Sequence, residues 1–390
     1  MNRIRTCLVD QAQTSEQQSA RRIILSGTVQ GVGFRPFIYR LAIKHQLVGW
    51  VKNCLGTVEI LVQGQARNIE LFVSDIFDNS PLLAKPKLES DEPVNIAELE
   101  SFSILQSEVN AIANNSVPTD LFLCDDCLAE LNDPTNRRYQ YPFINCTQCG
   151  PRYTLIKKLP YDRANTTMAD FGMCADCLAE YSDPSDRRFH AEPIACAQCG
   201  PSLSFKDVSG KTFNNSNLSD IVKVIIDGGV VAVKGIGGYH LMCDASSDDA
   251  VSRLRDKKQR PRKPLAVMFP APVDNPFAIA EKALMLSDSD KRFLLQAARP
   301  VLMVKKVAVD GSLAEQLSES IAPGLNEVGI MLPYSPLHHL LLDKFSGPLV
   351  ATSANISGEP VLTDNEDVEQ RLAHVADAFL HLDRPVMMQK

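Results

Sequence analysis

Apolar and polar positions over residues 21–107 follow the pattern of a compact α/β domain. The segment RRIILSGTVQ is typical of a strand. The next segment, PFIYRLAIKHQL, has helical spacing and opens with Pro36, a residue favoured in the first turn of a helix. Later segments predict two strands around Leu55-Gly56, a second helix in QARNIELFVSDIFDNS, and a closing strand in ELESFSILQ. The predicted order is therefore β-α-β-β-α-β, that of a ferredoxin-like fold.

A second α/β pattern occupies residues 217–390. Helical segments such as DDAVSRLRDKK and PLHHLLLDKF alternate with apolar, strand-like segments such as VVAVKG and PLVATSAN. This alternation predicts a larger domain built on a twisted, mixed sheet. The chain stops at DRPVMMQK without a signal that ends an element, so we expect this domain to be truncated at its C-terminal end.

Residues 118–205 have little apolar periodicity, but they carry a four-cysteine block twice, at an offset of 50 residues. Each copy holds two CxxC pairs with 18 residues between them, and each ends in Cys-Gly-Pro. Two such turns supply the four thiolates of a tetrahedral zinc site, so the duplication favours zinc over disulfides or free thiols. Metal would then supply much of the folding energy. The expected ligands of two structural zinc ions are Cys124, Cys127, Cys146, Cys149, Cys174, Cys177, Cys196 and Cys199.

The cysteine spacing does not decide how the ligands are shared between the two ions. Each ion takes its four cysteines from one repeat, or the repeats exchange CxxC pairs. We favour the local arrangement. In either case the metal is expected to have a structural role, and none of the eight cysteines is expected to contact a substrate.

These patterns together predict an α+β multidomain protein. Residues 1–20 are rich in Gln and Ser and are expected to form a disordered arm. The ferredoxin-like domain follows at 21–110, then the twin four-cysteine, zinc-ribbon-like module at 118–205 and the mixed-sheet domain at 217–390.

Composition and charge narrow the class of protein. No apolar run is long enough to cross a membrane, and the first residues lack the apolar core of a secretory signal. Of the 11 cysteines, only Cys7, Cys54 and Cys243 lie outside the metal spacing, which fits a reducing cytoplasm. A net charge of −7 argues against nucleic acid as a partner.

A glycine-rich segment, Gly27 to Arg35, joins the first predicted strand to the first helix. Gly31 and Gly33 permit positive φ angles, so that successive backbone N–H groups form an anion nest at the helix N-terminus. The guanidinium of Arg35 adds a bidentate phosphate ligand. The expected phosphate loop consists of Gln30, Gly31, Val32, Gly33 and Phe34.

The motif G-x-V-Q-G-V-G-F-R-P, followed by G-W-V-x-N, resembles the acylphosphatase family over about residues 21–107. The resemblance implies that Arg35 binds the acyl phosphate and that Asn53 orients the attacking water. Positioning then supplies much of the rate, because an acyl phosphate is already activated. The Cys54-Leu55 loop after the asparagine does not match the family pattern in detail.

Four polar segments in the second α/β domain suggest an anion and nucleotide site. They are KGIGGYH from Lys234, a basic run that ends in KQRPRKP, LPYSPLH, and TSANISG. A basic run by itself is often only a solvated helix face. The run followed by LAVMF, with TSANISG downstream, resembles the YrdC family, which binds ATP and a small carboxylate and forms a mixed anhydride with AMP. The resemblance implies that phosphates are held by Lys258, Arg260 and Lys263 and that the nucleotide pocket is lined by Ser353, Asn355 and Ser357.

The remaining polar groups of this domain have less specific assignments. Lys234 is expected to belong to the same nucleotide and carbamate site, and His240 and His338 are candidates to contact the small substrate. A lone histidine is more often structural. The basic side chains of the site, together with Mg²⁺, are expected to neutralise the negative charge of the pyrophosphate as it leaves.

The domain order as a whole resembles the HypF family of carbamoyltransferases, which mature nickel–iron hydrogenases, over nearly all of residues 21–390. The resemblance implies a cytoplasmic ligase (EC 6.2-type) with acylphosphatase activity. Carbamoyl phosphate is hydrolysed, and the carbamate reacts with ATP to give carbamoyl-adenylate and pyrophosphate. The implied acceptor is the C-terminal cysteine of HypE. The last transfer is expected to need a further domain of sugar-kinase-like fold, which these 390 residues do not contain.

Two other readings compete with this one. A threonylcarbamoyl-adenylate synthase for tRNA modification uses the same YrdC-type chemistry, but it has no use for an acylphosphatase domain. A zinc-ribbon module that binds nucleic acid or protein is the second alternative. The acidic net charge and the lack of basic residues interleaved with aromatics in the repeat count against it.

Overall fold

A computed structural model describes residues 18–54, 56–81, 83–107, 119–214, 218–307, 316–355 and 358–387. The chain divides into two compact units, residues 1–116 and 117–390. Most of the predicted N-terminal arm and the predicted domain limits at 110, 118, 217 and 390 lie outside the described residues. No helix in the described ranges is long and apolar enough to cross a membrane.

The first unit is a five-stranded sheet packed against two helices, with strand order β4-β1-β3-β2-β5. Helix α2 packs through a stripe of Ile69, Phe72 and Ile76, at the spacing expected for one helix face. The elements are β1 (Gln18–Thr28), α1 (Phe34–Lys44), β2 (Val48–Asn53), β3 (Val58–Gln65), α2 (Ala66–Asp78), β4 (Lys85–Pro93) and β5 (Phe102–Ile104).

The structure corrects two details of the sequence prediction for this unit. Strand β1 begins at Gln18, so residues 18–20 belong to the sheet and not to the predicted disordered arm. The β-α-β-β-α-β unit is closed by β4, which pairs antiparallel with β1, whereas the predicted closing strand ELESFSILQ contains only the short edge strand β5, parallel to β2. Strand β4 is mostly polar and exposed, and it therefore lacks the apolar alternation that predicts a strand.

The cysteine repeats of the second unit contain little regular structure. Each repeat contributes one short helix directly after its first cysteine. These are α3 (Asp125–Asn132) and α4 (Ala175–Ser182), and both end before an Asp-Pro dipeptide. Most of the remaining chain in the repeats is turns, and cysteines and arginines are buried there beside apolar side chains.

The rest of the second unit is built on a mixed sheet, as predicted. The sheet has nine strands in the described residues. Strand pairs β10–β12 and β8–β14 are parallel, and the other pairs are antiparallel. The strands are β6 (Leu203–Asp207), β7 (Thr212–Asn214), β8 (Val231–Lys234), β9 (Tyr239–Asp244), β10 (Ala266–Met268), β11 (Leu302–Lys305), β12 (Glu327–Met331), β13 (Leu349–Ser353) and β14 (Ala378–Leu382). The helices are α5 (Leu218–Ile226), α6 (Asp248–Lys257), α7 (Asp288–Leu294), α8 (Pro336–Phe345) and α9 (Asn365–Leu372).

The cysteine module and the mixed-sheet domain are in direct contact. Strand β6 pairs antiparallel with β14, which places residues 203–205 in the sheet. The first repeat packs against α8 through Leu340, and Leu123 N–H donates to the Tyr334 carbonyl (3.2 Å). The two predicted domains therefore share one compact unit.

Candidate active sites and metal centres

The predicted phosphate loop lies between the end of β1 and the start of α1. Gly31 and Gly33 both have positive φ, at 69° and 73°, and Gly33 caps α1 in a left-handed conformation that other residues adopt at a cost. The side chains of Val32 and Phe34 are buried in the core, which leaves the backbone of the loop at its surface. This is the arrangement of an anion nest at a helix N-terminus.

Arg35 and Asn53 lie at the same edge of the sheet. Asn53 ends β2, and both Asn53 and Leu25 of β1 pair with Val58 of the intervening strand. Gln30 Nε2 donates to the carbonyl groups of Cys54 (2.7 Å) and Thr57 (2.9 Å), which connects the phosphate loop to the β2–β3 turn. The two predicted catalytic residues thus lie in the first turn of α1 and at the end of β2, next to two loops that the Gln30 contacts connect.

The part of the Cys54-Leu55 loop that departs from the family pattern has a structural role. Leu55 lies outside the described residues, whereas the Cys54 thiol donates to Glu59 Oε2 (3.6 Å). Burial acts to raise the pKa of Glu59, but hydrogen bonds and charge from Arg22 and Lys52 outweigh it, and the pKa lies below its ordinary value. Cys54 therefore packs on an ionised, paired carboxylate behind the turn.

Each cysteine repeat brings its own four sulfur atoms together. All four Sγ atoms of a cluster lie within 4.8 Å of one another, and neighbouring sulfurs are 3.6–3.8 Å apart. Four ligands at a Zn–S distance of about 2.3 Å require sulfur separations of about 3.8 Å, so both clusters fit tetrahedral zinc. The predicted metal residues thus form two separate centres, each from one repeat, as we favoured.

Arginines of each repeat contact the cysteine cluster of the other repeat. Arg187 of the second repeat donates to Cys127 Sγ of the first (3.1 Å), and Arg137 of the first donates to Cys174 Sγ (3.4 Å) and Cys196 Sγ (3.3 Å) of the second. Positive charge near four thiolates offsets the net negative charge of a zinc–tetrathiolate centre.

A second arginine in each repeat strengthens these contacts. Arg138 is 1% exposed, donates to the Ala195 carbonyl (2.8 Å) and forms an ion pair with Glu180. Arg188 repeats the contact with the Asn145 carbonyl (3.0 Å) and pairs with Glu130. The Arg-Arg dipeptides are thus the reciprocal connection between the repeats.

A groove of about 380 Å³ lies on the mixed sheet and contains several predicted nucleotide residues. Arg260 lines it, donates to Thr352 Oγ1 (3.1 Å) and the Pro264 carbonyl (2.6 Å), and has a buried Nε without a partner in the described ranges. This size is typical of small-molecule sites. The other predicted residues on the groove are Lys263, His240 and Ser353.

Lys258 contacts the Ser353–Asn355 loop instead of lining the groove. Its Nζ donates to the Ser353 carbonyl and, at 3.1 Å each, to the carbonyl and Oδ1 of Asn355. An ammonium group has three donors, so this loop engages all of them. Burial and the charge of Arg260 lower the pKa of Lys258 to about 8. Ser357, the last predicted loop residue, lies outside the described residues.

His240 and His338 stack on each other, with ring centroids 5.7 Å apart. His240 on β9 pairs with Ser353 on β13 and lines the groove, whereas His338 is fully buried and its Nδ1 meets Ser335 Oγ at 2.9 Å. Burial lowers the pKa of His240 to about 4 and holds that of His338 well below its ordinary value. Both rings are therefore neutral near pH 7, so they can form hydrogen bonds but carry no positive charge.

Lys234 does not line the groove that holds Arg260, Lys263, His240 and Ser353. It lines a different, small cavity between the first cysteine repeat and the mixed sheet. Its Nζ donates to Asn365 Oδ1 (2.6 Å) and to the Leu382 carbonyl (3.3 Å). Its neighbours are thus not the groove residues that the sequence grouped it with.

Sequence reasoning missed Arg255, which belongs to the basic run but is 5% exposed. It donates to the carbonyls of Ile321 (2.8 Å), Arg260 (2.7 Å) and Lys263 (3.2 Å), and so positions the loop that carries the groove cations. The signal was present in the sequence, because Arg255 follows Val251 and Leu254 at the spacing of the buried face of α6.

Three family models match the chain in the order of these sites. The acylphosphatase model matches residues 21–104, and the model described as "HypF finger" matches residues 123–156 and 173–205. The Sua5/YciO/YrdC model, described as "Telomere recombination", matches residues 223–389. The first two matches contain the phosphate loop and both cysteine clusters, and the third contains the groove.

Individual proteins agree with these models. "Carbamoyltransferase HypF2" of Cupriavidus necator is 45% identical over 386 residues, which cover 94% of this chain and 47% of that protein. The acylphosphatase of Bacillus subtilis is 40% identical over 87 residues, 22% of this chain and 96% of its own length. The crystal structure of full-length HypF in the phosphate- and nucleotide-bound form superposes with a TM-score of 0.87 at 41% identity, covering 95% of this chain and 47% of that one.

The chain spans about half the length of the curated relatives it matches. Within that span the match is continuous and includes the acylphosphatase unit, the finger repeats and the mixed sheet. We conclude that the chain belongs to the HypF carbamoyltransferase family.

Proposed function

We propose that the chain hydrolyses carbamoyl phosphate in its first unit and converts the carbamate into carbamoyl-adenylate in the groove of its second unit. The observation that carries the proposal is that one chain holds both an acylphosphatase loop with Arg35 and Asn53 and a basic groove with Arg260 and Lys263. A carbamate source and a carbamate-consuming site in one chain raise the local concentration of an unstable intermediate.

In the first step, the loop N–H groups and Arg35 bind the phosphoryl group, and Asn53 orients the water. Water attacks phosphorus, and the bond from phosphorus to the bridging oxygen breaks, which releases carbamate and phosphate. Nothing in this step requires a general base, because carbamate is a good leaving group and the site supplies positioning.

In the second step, a carbamate oxygen attacks the α-phosphorus of ATP. The new bond joins that oxygen to phosphorus, and the bond from the α-phosphorus to the bridging oxygen breaks, so that pyrophosphate leaves. Arg260 and Lys263 are proposed to bind the phosphates, and Lys258 to hold the Ser353–Asn355 loop against the nucleotide. Mg²⁺ bound with the nucleotide would neutralise charge on the pyrophosphate.

The carbamoyl-adenylate is proposed to serve transfer to the C-terminal cysteine of HypE, in the synthesis of hydrogenase cyanide ligands. The names of the relatives support a carbamoyl transfer. The phosphate- and nucleotide-bound form of a structural relative supports a nucleotide as a ligand. In this proposal the two zinc ions are structural, since four cysteines complete each tetrahedron and leave no open position.

Pyrophosphate release with alternative substrates tests the proposal. We expect release from ATP with carbamoyl phosphate, and none above background from ATP with threonine and bicarbonate. The reverse preference would identify a threonylcarbamoyl-adenylate synthase and would contradict the proposal. An Arg260→Met variant should lose the release while retaining carbamoyl phosphate hydrolysis in the first unit.

A further inference from the structure

A buried arginine, Arg384, lies at the cavity that Lys234 lines. Arg384 follows β14 and is 4% exposed. Within the described ranges no hydrogen bond reaches its guanidinium, and its Nε is buried without a partner. Leaving a charged donor buried and unmatched costs several kcal/mol, so such groups normally have an acceptor.

The cavity brings Arg384 together with a second buried cation. Lys234 is 3% exposed, and among the described residues its Nζ donates to two neutral acceptors, Asn365 Oδ1 and the Leu382 carbonyl, and lies 5.6 Å from the ring centroid of Tyr239. The charge of Arg384 contributes, after burial, to lowering the pKa of Lys234 to about 8, so the two cations act on each other. Two buried cations at one cavity form a site for an anion.

The two carboxylates whose charge acts on Arg384 accept hydrogen bonds from other residues. Asp120 and Asp383 act on Arg384 through space, and burial nevertheless lowers the pKa of Arg384 to about 10. Asp120 Oδ1 already accepts from the backbone N–H groups of Arg152 (2.7 Å) and Thr154 (3.2 Å). Asp383 accepts from the backbone and hydroxyl of Ser202.

The size of the cavity limits which anion fits. Its volume is about 40 Å³, room for about three water-sized groups. Apolar residues such as Leu121, Phe143 and Leu337 form most of its wall, and Gly235 and Ile236 also line it. A planar anion of about four heavy atoms matches this space, whereas a nucleotide does not.

We propose that Arg384 and Lys234 bind a small planar carboxylate-type anion, carbamate or bicarbonate, at the junction of the first cysteine repeat and the mixed sheet. The planar guanidinium can donate two parallel N–H bonds to two oxygens of the anion, and Lys234 adds a third donor. The identity of carbamate rests on the proposed function, but the site itself does not.

Binding of ¹³C-bicarbonate to the zinc-loaded chain, followed by ¹³C NMR line broadening, tests the site. We expect saturable binding that Arg384→Met weakens by at least about tenfold, the usual scale for a lost charge-assisted hydrogen bond. Arg384→Lys should restore part of it. The matched control Arg371→Met, which removes a partly exposed arginine paired with Glu359, should bind like the wild type.

Unchanged binding by a folded Arg384→Met variant would overturn the proposal, as would the absence of binding in the wild type. Competition by inorganic phosphate at equal concentration would show a tetrahedral oxyanion site and would also overturn it. Pyrophosphate release separates the two proposals. If bicarbonate binds through Arg384 but no pyrophosphate is released, the anion site is supported and the adenylate-forming function is rejected. If pyrophosphate is released but Arg384 does not affect bicarbonate binding, the adenylate-forming function is supported and the anion site is rejected.

Discussion

Lys258 shows how the number of donors decides what a side chain does. The motif resemblance assigned it to phosphate, together with Arg260 and Lys263. In the structure its three donors all meet the Ser353–Asn355 loop, while Arg260 keeps an unmatched Nε and lines the groove. The sequence predicts which residue types form the site. It does not predict which of them hold the loop and which face the ligand, because that depends on contacts between residues about 95 apart in the chain.

Nucleotide affinity should depend on pH through Lys258. Its pKa is lowered to about 8 by burial and by Arg260, and an anionic ligand favours the charged ammonium. The charged form is therefore present below pH 8 and lost as the pH rises through that value, so ATP affinity should fall on the order of tenfold between pH 7 and pH 9.5. Calorimetric titration across this range measures it.

The matched variant for this prediction is Lys258→Arg. Arginine stays charged throughout the range, so its ATP affinity should be nearly independent of pH above 7. An equally steep loss of affinity in both proteins would assign the pH dependence to another group, and the role given to Lys258 would be wrong.

At the level of elements, the zinc repeats show what a duplicated pattern can and cannot predict. The spacing of the cysteines predicts two tetrahedral centres, and the structure gives each centre to one repeat. The reciprocal arginine contacts were not predictable, because two nearly identical repeats do not show which of them an Arg-Arg dipeptide will face. Strand β4 was missed for a different reason, since its polar, exposed residues carry no periodic signal.

Substitution Arg187→Met should weaken the zinc site of the first repeat selectively. Arg187 donates to Cys127 Sγ and to Glu130 Oε1 (2.9 Å), both in that repeat. Loss of such an outer contact typically lowers metal affinity about 10- to 100-fold. Native mass spectrometry during titration with a chromogenic chelator should show one zinc ion leaving early and the other at the wild-type chelator concentration.

The control for this experiment is Lys157→Met, which removes an exposed lysine paired with Asp170 and should leave both zinc ions in place. Mapping the early-leaving ion by protection of cysteines from alkylation completes the test. Early exposure of Cys174 and Cys177 in place of Cys124 and Cys127 would contradict the exchange of arginines between repeats.

At the scale of the whole chain, the sequence predicted the order of modules and the fold of each, and the family comparisons confirm the family. It did not predict that the cysteine repeats and the mixed sheet form one unit. That union depends on β6 pairing with β14, residues about 175 apart in the chain, and on backbone contacts such as Leu123 with Tyr334. Long-range pairing of this kind leaves no local pattern.

The central claim is that carbamate made in the first unit feeds the groove of the second. Arg35→Gln should lower pyrophosphate release from ATP and carbamoyl phosphate by at least about a hundredfold, because the phosphoryl group loses its main cation. Arg67→Gln is the matched control. It changes an exposed arginine on α2. This helix follows Gln65, which pairs with Gln18 at the start of β1, whereas the phosphate loop follows the other end of β1.

The most direct measurement supplies carbamate itself. Freshly dissolved ammonium carbamate with ATP should restore pyrophosphate release by the Arg35→Gln variant to the wild-type rate, since the second unit is intact. Release from carbamoyl phosphate at the wild-type rate by Arg35→Gln, or failure of carbamate to restore it, would contradict the account.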